Sequence, residues 1–239
     1  MRASETDRAL ICPASLVRKK TAKRSDKANK TAAWGTLVHK WKETGDTQGN
    51  KTLLKKLQRT CIDREKLWPT TGNSHGHEAT FSIDLESLQL RIWSSKGSNY
   101  KRDHWKRRHP RYRYVTGSID WLSFRSKDGL PWVDDLKTGT WSVIAKYSKQ
   151  LRTYALVPWI LSGCNTDVWL SITQWPKYRL DCKPKRNWYK ISSKELAKHL
   201  IKIKWAVKNT HLAIPSVSGC RFCLCKPDCV EFKESEYNV

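Results

Sequence analysis

Two carboxylates and a lysine make the most chemically suggestive pattern in this chain: Gly117-Ser118-Ile119-Asp120, then Val133-Asp134-Asp135-Leu136-Lys137-Thr138-Gly139. Both stretches are apolar and β-like, and on a strand residues i and i+2 project to the same face. Asp135 and Lys137 therefore share a face, with Asp120 brought beside them by a neighbouring strand. Asp134 turns to the opposite face and is not a candidate ligand. Two acidic groups with an adjacent ammonium suit a hard divalent cation, Mg²⁺ or Mn²⁺, with the backbone carbonyl of Leu136 as a further ligand. Such an ion neutralises phosphate charge and acidifies a bound water, and Lys137 is placed to orient that water or to stabilise developing negative charge. The chemistry indicated is phosphodiester hydrolysis. Surface aspartates beside an ordinary lysine are the plain alternative, and the apolar setting of both carboxylates argues against it.

Elements able to position these groups follow from periodicity. Period-two patterning predicts strands over 77–83, 88–93, 112–124, 132–136 and 167–174, with Ser126-Lys127-Asp128-Gly129 as a turn. Helices are predicted over 13–20, 32–44 (stopped by Gly45), 53–67 (ended by Pro69), 143–157 (stopped or kinked at Pro158) and 192–208, with 19–30 as a basic loop. The order implies one α/β domain over 1–239, a mixed central sheet flanked by helices, with its core at about 32–175. Residues 45–52 lack the glycine spacing of a phosphate loop, so no nucleotide-driven motor is expected.

Charge indicates the partner. Lysine and arginine number 46 against 22 acidic residues, giving a formal +24 and a pI near 9.9. That excess favours a polyanion through counterion release, and DNA is the expected partner. It is concentrated in a basic insertion at about 96–113, where Lys101, Arg102, Lys106, Arg107, Arg108 and Arg111 alternate with aromatics that include Trp105. This insertion is expected to grip the DNA backbone. Thirteen tryptophans are many for 239 residues; most are expected in the core, and a few are suited to stacking on unpaired bases. No apolar run is long enough to span a bilayer and no apolar targeting segment opens the sequence, so a cytoplasmic, nucleoid-associated location without membrane contact is expected.

Eight cysteines in such a setting argue against a disulfide framework. Four crowd the C-terminal region as Cys220-x2-Cys223-Leu224-Cys225-x3-Cys229, a spacing that indicates a metal centre. Two assignments compete: a local four-cysteine zinc site, or an iron–sulfur cluster that recruits distant Cys12 to Cys220, Cys223 and Cys229. Cys61, Cys164 and Cys182 are expected to be packing thiols.

Asp120 followed by Asp135-Leu136-Lys137 resembles the signature of the PD-(D/E)XK nuclease superfamily. Three further stretches resemble its RecB-like exonuclease branch: Gly35-Thr36-Leu37-Val38-His39 on a helix, the Gly-x-x-Asp form of 117–120, and Gln150-Leu151-Arg152-Thr153-Tyr154. The resemblance implies a restriction-endonuclease-like core in which His39, Asp120, Asp135 and the Leu136 carbonyl hold Mg²⁺ or Mn²⁺. Asp120, Asp135 and Lys137 would be catalytic, with Gln150 and Tyr154, one helical turn apart, placing the substrate. Glu43, one turn beyond His39, is a further candidate for the acidic cluster, and Glu78 for a basic partner. Cys12-Pro13-Ala14-Ser15 before the core and Cys-x2-Cys-x5-Cys after it resemble the iron–sulfur clasp of AddB and CRISPR-adaptation nucleases. That implies a 4Fe–4S cluster on Cys12, Cys220, Cys223 and Cys229, with structural Zn²⁺ as the alternative and Cys225 extra to the expected spacing. The implied activity is metal-dependent DNA exonuclease action in recombination, repair or phage DNA processing, alone or with a helicase, recombinase or other protein. A structure-specific endonuclease, or a non-catalytic DNA-binding iron–sulfur or zinc protein, are the alternatives.

Overall fold

Hydrogen-bonded pairing joins six strands into one mixed sheet: β1 (Gly76–Asp84), β2 (Leu90–Trp93), β3 (Tyr114–Phe124), β4 (Pro131–Lys137), β5 (Val168–Gln174) and β6 (Lys185–Ile191), in the order β2-β1-β3-β4-β5-β6. The computed structural model describes residues 1–18, 26–62, 64–68, 76–93, 113–125, 127–139, 141–175, 183–216, 220, 223 and 225–235, with backbone alone for 26–31, 65–66 and 76–78. Residues 96–112 of the basic insertion, including Lys101, Arg102, Trp105, Lys106, Arg107, Arg108 and Arg111, lie outside the described residues, as do Cys182 and the side chain of Glu78; Arg113 at its end pairs with Asp84 at 2.7 Å. Among the six described strands β4 and β5 pair in parallel and the others antiparallel, with an isolated parallel bridge from Arg2 to Thr116. A parallel step requires a crossover, and the helix Lys149–Leu161 supplies it.

Helices cover both faces. α1 (Thr6–Ile11), α5 (Lys149–Leu161) and α6 (Ser193–Lys208) lie on one side, and α2 (Asp26–Thr44) and α3 (Lys51–Thr60) on the other, and the described residues also include short α4 (Arg64–Leu67) and α7 (Val230–Lys233). Alternation along β4 divides the core accordingly. Val133 joins an aliphatic cluster with Leu151 and Leu156 of α5 and Leu196 and Ile203 of α6. Trp132 and Leu136 join a cluster rich in indoles: Trp34 and Trp41 of α2, then Trp68, Trp121 and Trp175. The packed core reaches beyond 32–175 at both ends, through Ala3 and Val207. Among the described residues no helix is long and apolar enough to cross a membrane.

Several elements differ from expectation, each for a local reason. The first helix is α1, and 13–16 form only a 3-10 turn, Pro13–Leu16. α2 begins at Asp26, inside the stretch read as a loop, because its basic N-terminal turns lack an apolar stripe; it stops at Gly45, where φ is +76°. The span 53–67 is two helices, since Cys61 takes a left-handed conformation (φ +45°) that caps α3. Cys61 is consequently exposed, not packed. Residues 143–144 are not helical: Ser148 caps α5 by accepting from Leu151 N at 3.1 Å. Pro158 sits inside α5 without ending it. An interior proline costs about 3 kcal/mol, offset here because 153–159 are all buried. β6 escaped the pattern altogether: Lys-Arg-Asn-Trp-Tyr-Lys-Ile at a sheet edge has one buried residue, Ile191, and no apolar alternation.

Asp134 anchors β4 from beneath. Fully buried, it accepts from Trp68 Nε1 at 2.8 Å, from Thr173 Oγ1 at 2.9 and 3.0 Å and from the Ser171 hydroxyl, and it lies 3.4 Å from Arg186 Nε. Removing one partner from a buried charged network leaves the others unsatisfied. Asp134→Ala should therefore lose about 3–5 kcal/mol in urea unfolding, whereas a loss below about 1 kcal/mol would show that these bonds do not hold the strand.

Candidate active site

β3 and β4 place the carboxylates. Their register pairs Trp121 with Asp134, so Asp120 and Asp135 meet one step along. Asp120 Oδ2 accepts from the backbone N of Leu136 at 2.7 Å, stitching its side chain to β4. Asp135 is 3% exposed and its Oδ2 lies 2.7 Å from Lys137 Nζ, the pairing expected for residues i and i+2. Apolar surroundings and strand geometry thus exclude a pair of loose surface aspartates.

Helix α2 adds the imidazole. His39 Nδ1 lies 3.5 Å from Asp120 Oδ1, and Nε2 lies 3.2 Å from the Leu136 carbonyl oxygen. His39, Asp120 and the Leu136 carbonyl are therefore already neighbours. The helix approaches this closely because Gly35 has no side chain: a Cβ there would stand 3.0 Å from Thr138 Oγ1. Gly117 does the same for α5, since a Cβ would stand 2.8 Å from the Phe81 ring and 3.0 Å from the Tyr154 ring. Two motif glycines thus have steric causes.

Helix α5 completes the group. Lys137 Nζ donates to Gln150 Oε1 at 3.0 Å, and Gln150 Nε2 donates to Tyr154 Oη at 2.6 Å. An ammonium only donates, so the amide oxygen must face Lys137 and the amide nitrogen must face the phenol. Asp135, Lys137, Gln150 and Tyr154 form one polar chain across β4 and α5. Arg152 leaves this group, donating to the Lys146 carbonyl at 2.8 Å. Glu43 is not part of the cluster; it is exposed and pairs with Lys40 at 3.7 Å.

Below the carboxylates lies a cation that the motifs do not include. Lys42, 2% exposed, donates from Nζ to the Asp120 carbonyl at 2.8 Å and stands 4.8 Å from the centre of the Trp68 ring. Trp68 in turn holds Asp134. One turn separates Lys42 from His39, so a shared helical face was the available signal.

Electrostatics favour added positive charge. Burial, with Asp120 and Asp134 nearby, pushes the Asp135 carboxyl up to about 6, against the pull of Lys137. Asp135 holds the Lys137 ammonium above its ordinary range, so Lys137 is a cation at neutral pH. The hard oxygen donors of Asp120, Asp135 and Leu136, with the His39 nitrogen, have the chemistry to hold Mg²⁺ or Mn²⁺. Among the described residues no three His, Cys, Asp or Glu side chains already converge as a preformed metal cage.

The cysteines gather elsewhere. Cys12, Cys220, Cys223, Cys225 and Cys229 line one pocket beside Arg18. Backbone N–H groups of Ile214 and Ser216 point at Cys12 Sγ and Cys220 Sγ, each at 3.5 Å, and Arg18 donates to Cys229 Sγ at 3.0 Å. Arg18 also pairs with Glu231. Cys225, the extra cysteine, is buried on the same wall. Five thiols thus line one pocket, although among the described residues no three of them converge as a preformed metal site.

The Asp135 carboxyl yields a pH prediction for metal-free protein. Its folded value lies above the ordinary 3.8, so its stabilising effect is full below about 4 and is lost as pH rises through about 6. In EDTA, carbon-detected NMR should show this carboxyl titrating near about 6, and Asp135→Asn should flatten the corresponding fall in unfolding free energy. A carboxyl titrating near about 4 would contradict the burial argument.

No family model matches this chain, and no curated protein matches it. Among solved structures the chain is similar to SSO0001, whose crystal structure aligns with a TM-score of 0.42 and 11% sequence identity over 97% of this chain and 85% of that one. At that score the likeness bears on neither fold family nor function.

Proposed function

We propose that this chain is a metal-dependent deoxyribonuclease of the PD-(D/E)XK kind, a RecB-like exonuclease that hydrolyses DNA phosphodiester bonds. One observation carries the reading. Residues from α2, β3, β4 and α5 that belong to four separate sequence motifs form two adjoining contact sets, His39 with Asp120 and the Leu136 backbone, and Asp135 with Lys137, Gln150 and Tyr154, joined where Asp135 and Leu136 are consecutive on β4. A helix, antiparallel strands, a crossover helix and a parallel strand, in that chain order, suit the restriction-endonuclease-like core.

His39, Asp120, Asp135 and the Leu136 carbonyl would hold Mg²⁺ or Mn²⁺, which when bound supplies Lewis-acid charge to the phosphate and lowers the pKa of a water. The chain's own groups set the rest. Lys137 stays protonated between Asp135 and Gln150, so it acts as a fixed cation and donor facing negative charge on phosphate oxygen, not as a general base. Gln150 locks the lysine and the Tyr154 phenol in one orientation, which defines where the phosphate sits. Water adds to phosphorus, the bond to the departing sugar oxygen breaks, and that oxygen takes up a proton. Lys42 holds the backbone of Asp120 so that its carboxylate keeps its place. The basic insertion, with its run of Lys and Arg, would grip the DNA backbone. Helicase, recombinase or other protein partners would suit such an exonuclease.

The cysteine pocket we assign to a 4Fe–4S cluster on Cys12, Cys220, Cys223 and Cys229, with structural Zn²⁺ as the competing occupant. Its role is to join the chain's two end segments.

End-labelled linear single- and double-stranded DNA, incubated beside circular DNA with Mg²⁺ or Mn²⁺, tests the activity. Linear substrates should be degraded, circles spared and EDTA inhibitory, with Asp135→Ala and Lys137→Ala each lowering the rate by about 10²–10³. Cleavage of circles would replace exonuclease with endonuclease action, and full activity in either variant would refute the site. Iron, sulfide and zinc analysis of anaerobically purified protein tests the pocket: iron and sulfide should be lost in Cys229→Ala and retained in Cys225→Ala. Zinc without sulfide would decide for the competing occupant.

A further inference from the structure

Most of the described tryptophans are buried or half-buried; Trp141 is 87% exposed. It belongs to the connection between β4 and α5, which also presents Ile144 and Tyr147, 51% and 63% exposed. Three large apolar side chains facing solvent in seven residues form a patch, and a patch of this kind beside a polar site marks a binding surface.

The connection is held from below. Gln174 Nε2 donates to the Trp141 carbonyl at 2.5 Å and to the Gly139 carbonyl at 3.3 Å, while its Oε1 accepts from Val143 N at 3.2 Å. Asn187 accepts from Ala145 N at 2.6 Å and donates to the Val143 carbonyl at 3.0 Å. Two side-chain amides from β5 and β6 thus satisfy the backbone of a segment that makes no ladder of its own, and they hold the main chain that carries the indole. Gln174 is also the residue paired with Lys137 in the β4–β5 register. The same amide that carries Trp141 therefore sits opposite the lysine of the candidate site.

We propose that Trp141, with Tyr147 beside it, is a stacking platform for the unpaired bases of a DNA strand whose phosphate lies at Lys137 and Gln150. The inference rests on the nuclease reading for the position of that phosphate. Charge selects the occupant: Lys146 and Lys149 flank the patch, with the Lys146 ammonium 5.7 Å from the centre of the Tyr147 ring, in a chain of formal charge +24. An apolar, cationic surface of this kind suits a polyanion with exposed ring faces better than an apolar protein face. A duplex keeps its bases stacked internally and exposes a ring face only at each terminus, so along its length the contact favours single strands over paired ones.

Fluorescence anisotropy with labelled oligothymidylate and with a blunt duplex, in EDTA so that nothing is cleaved, tests this. Trp141→Ala should weaken single-strand binding about tenfold and leave duplex affinity unchanged. Trp141→Phe should recover most of the loss, and the salt dependence should keep its slope because stacking releases no counterions. Single-strand affinity of the alanine variant within about twofold of the parent overturns the platform, as does equal loss on both substrates. The nuclease reading fails separately: selective loss in Trp141→Ala, with no cleavage by the parent protein in Mg²⁺ or Mn²⁺, would leave the platform standing and remove its link to hydrolysis.

Discussion

Two consecutive carboxylates on β4 divide between the faces of the sheet, and the rest of the molecule is arranged around that division. Asp134 turns down into the indole cluster, where Trp68, Ser171 and Thr173 donate to it and Arg186 faces it. Asp135 turns up toward α5 and meets Lys137. Because strand side chains alternate, a slip of one residue in pairing would exchange the two environments and leave both charges unsatisfied. Every donor to Asp134 comes from β5 or the segment after α4, so its hydrogen bonds specify the β4–β5 register with which Asp135 and Lys137 are presented. A buried structural carboxylate of this kind does not add net stability over a hydrophobic pair by default; what it contributes is a single alignment.

Positive charge is distributed to the same end. Lys42 and Lys56 are both buried, and each ammonium stands against an indole face, Trp68 at 4.8 Å and Trp175 at 5.0 Å. Aromatic faces accept cations at lower cost than aliphatic walls, which gives the tryptophan-rich side of the sheet a function that an aliphatic core would not supply. From there Lys42 reaches the Asp120 carbonyl, so the two carboxylate-bearing strands are tied through one lysine and one indole. The upper face is aliphatic and carries α5, whose buried flanks keep Gln150 and Tyr154 at a fixed distance from Lys137.

Much of this arrangement is legible in the residues themselves. Period two over 114–137 gives both strands, and the i, i+2 spacing gives the Asp135–Lys137 pairing found at 2.7 Å. The four-residue spacing of Gln150 and Tyr154 gives their contact. What escapes is of three kinds. β6 hides because an edge strand carrying Lys185, Arg186 and Lys190 has no apolar face to alternate with. The break at Cys61 hides because a non-glycine residue takes positive φ there. Trp68 and the anchoring amides Gln174 and Asn187 hide because each acts on a backbone group or side chain far away in sequence, and a single chain contains no signal of such pairings, whereas Lys42 is signalled only by sharing a helical face with His39.

The pairing of Arg18 with Glu231, and the shared pocket of Cys12 with Cys220 to Cys229, join segments 213 residues apart. Chain ends are where fraying ordinarily begins and where local opening costs least. With both end segments fastened to one another, opening cannot propagate inward from either without first breaking that junction. Opening of either end segment is thereby coupled to opening of the other.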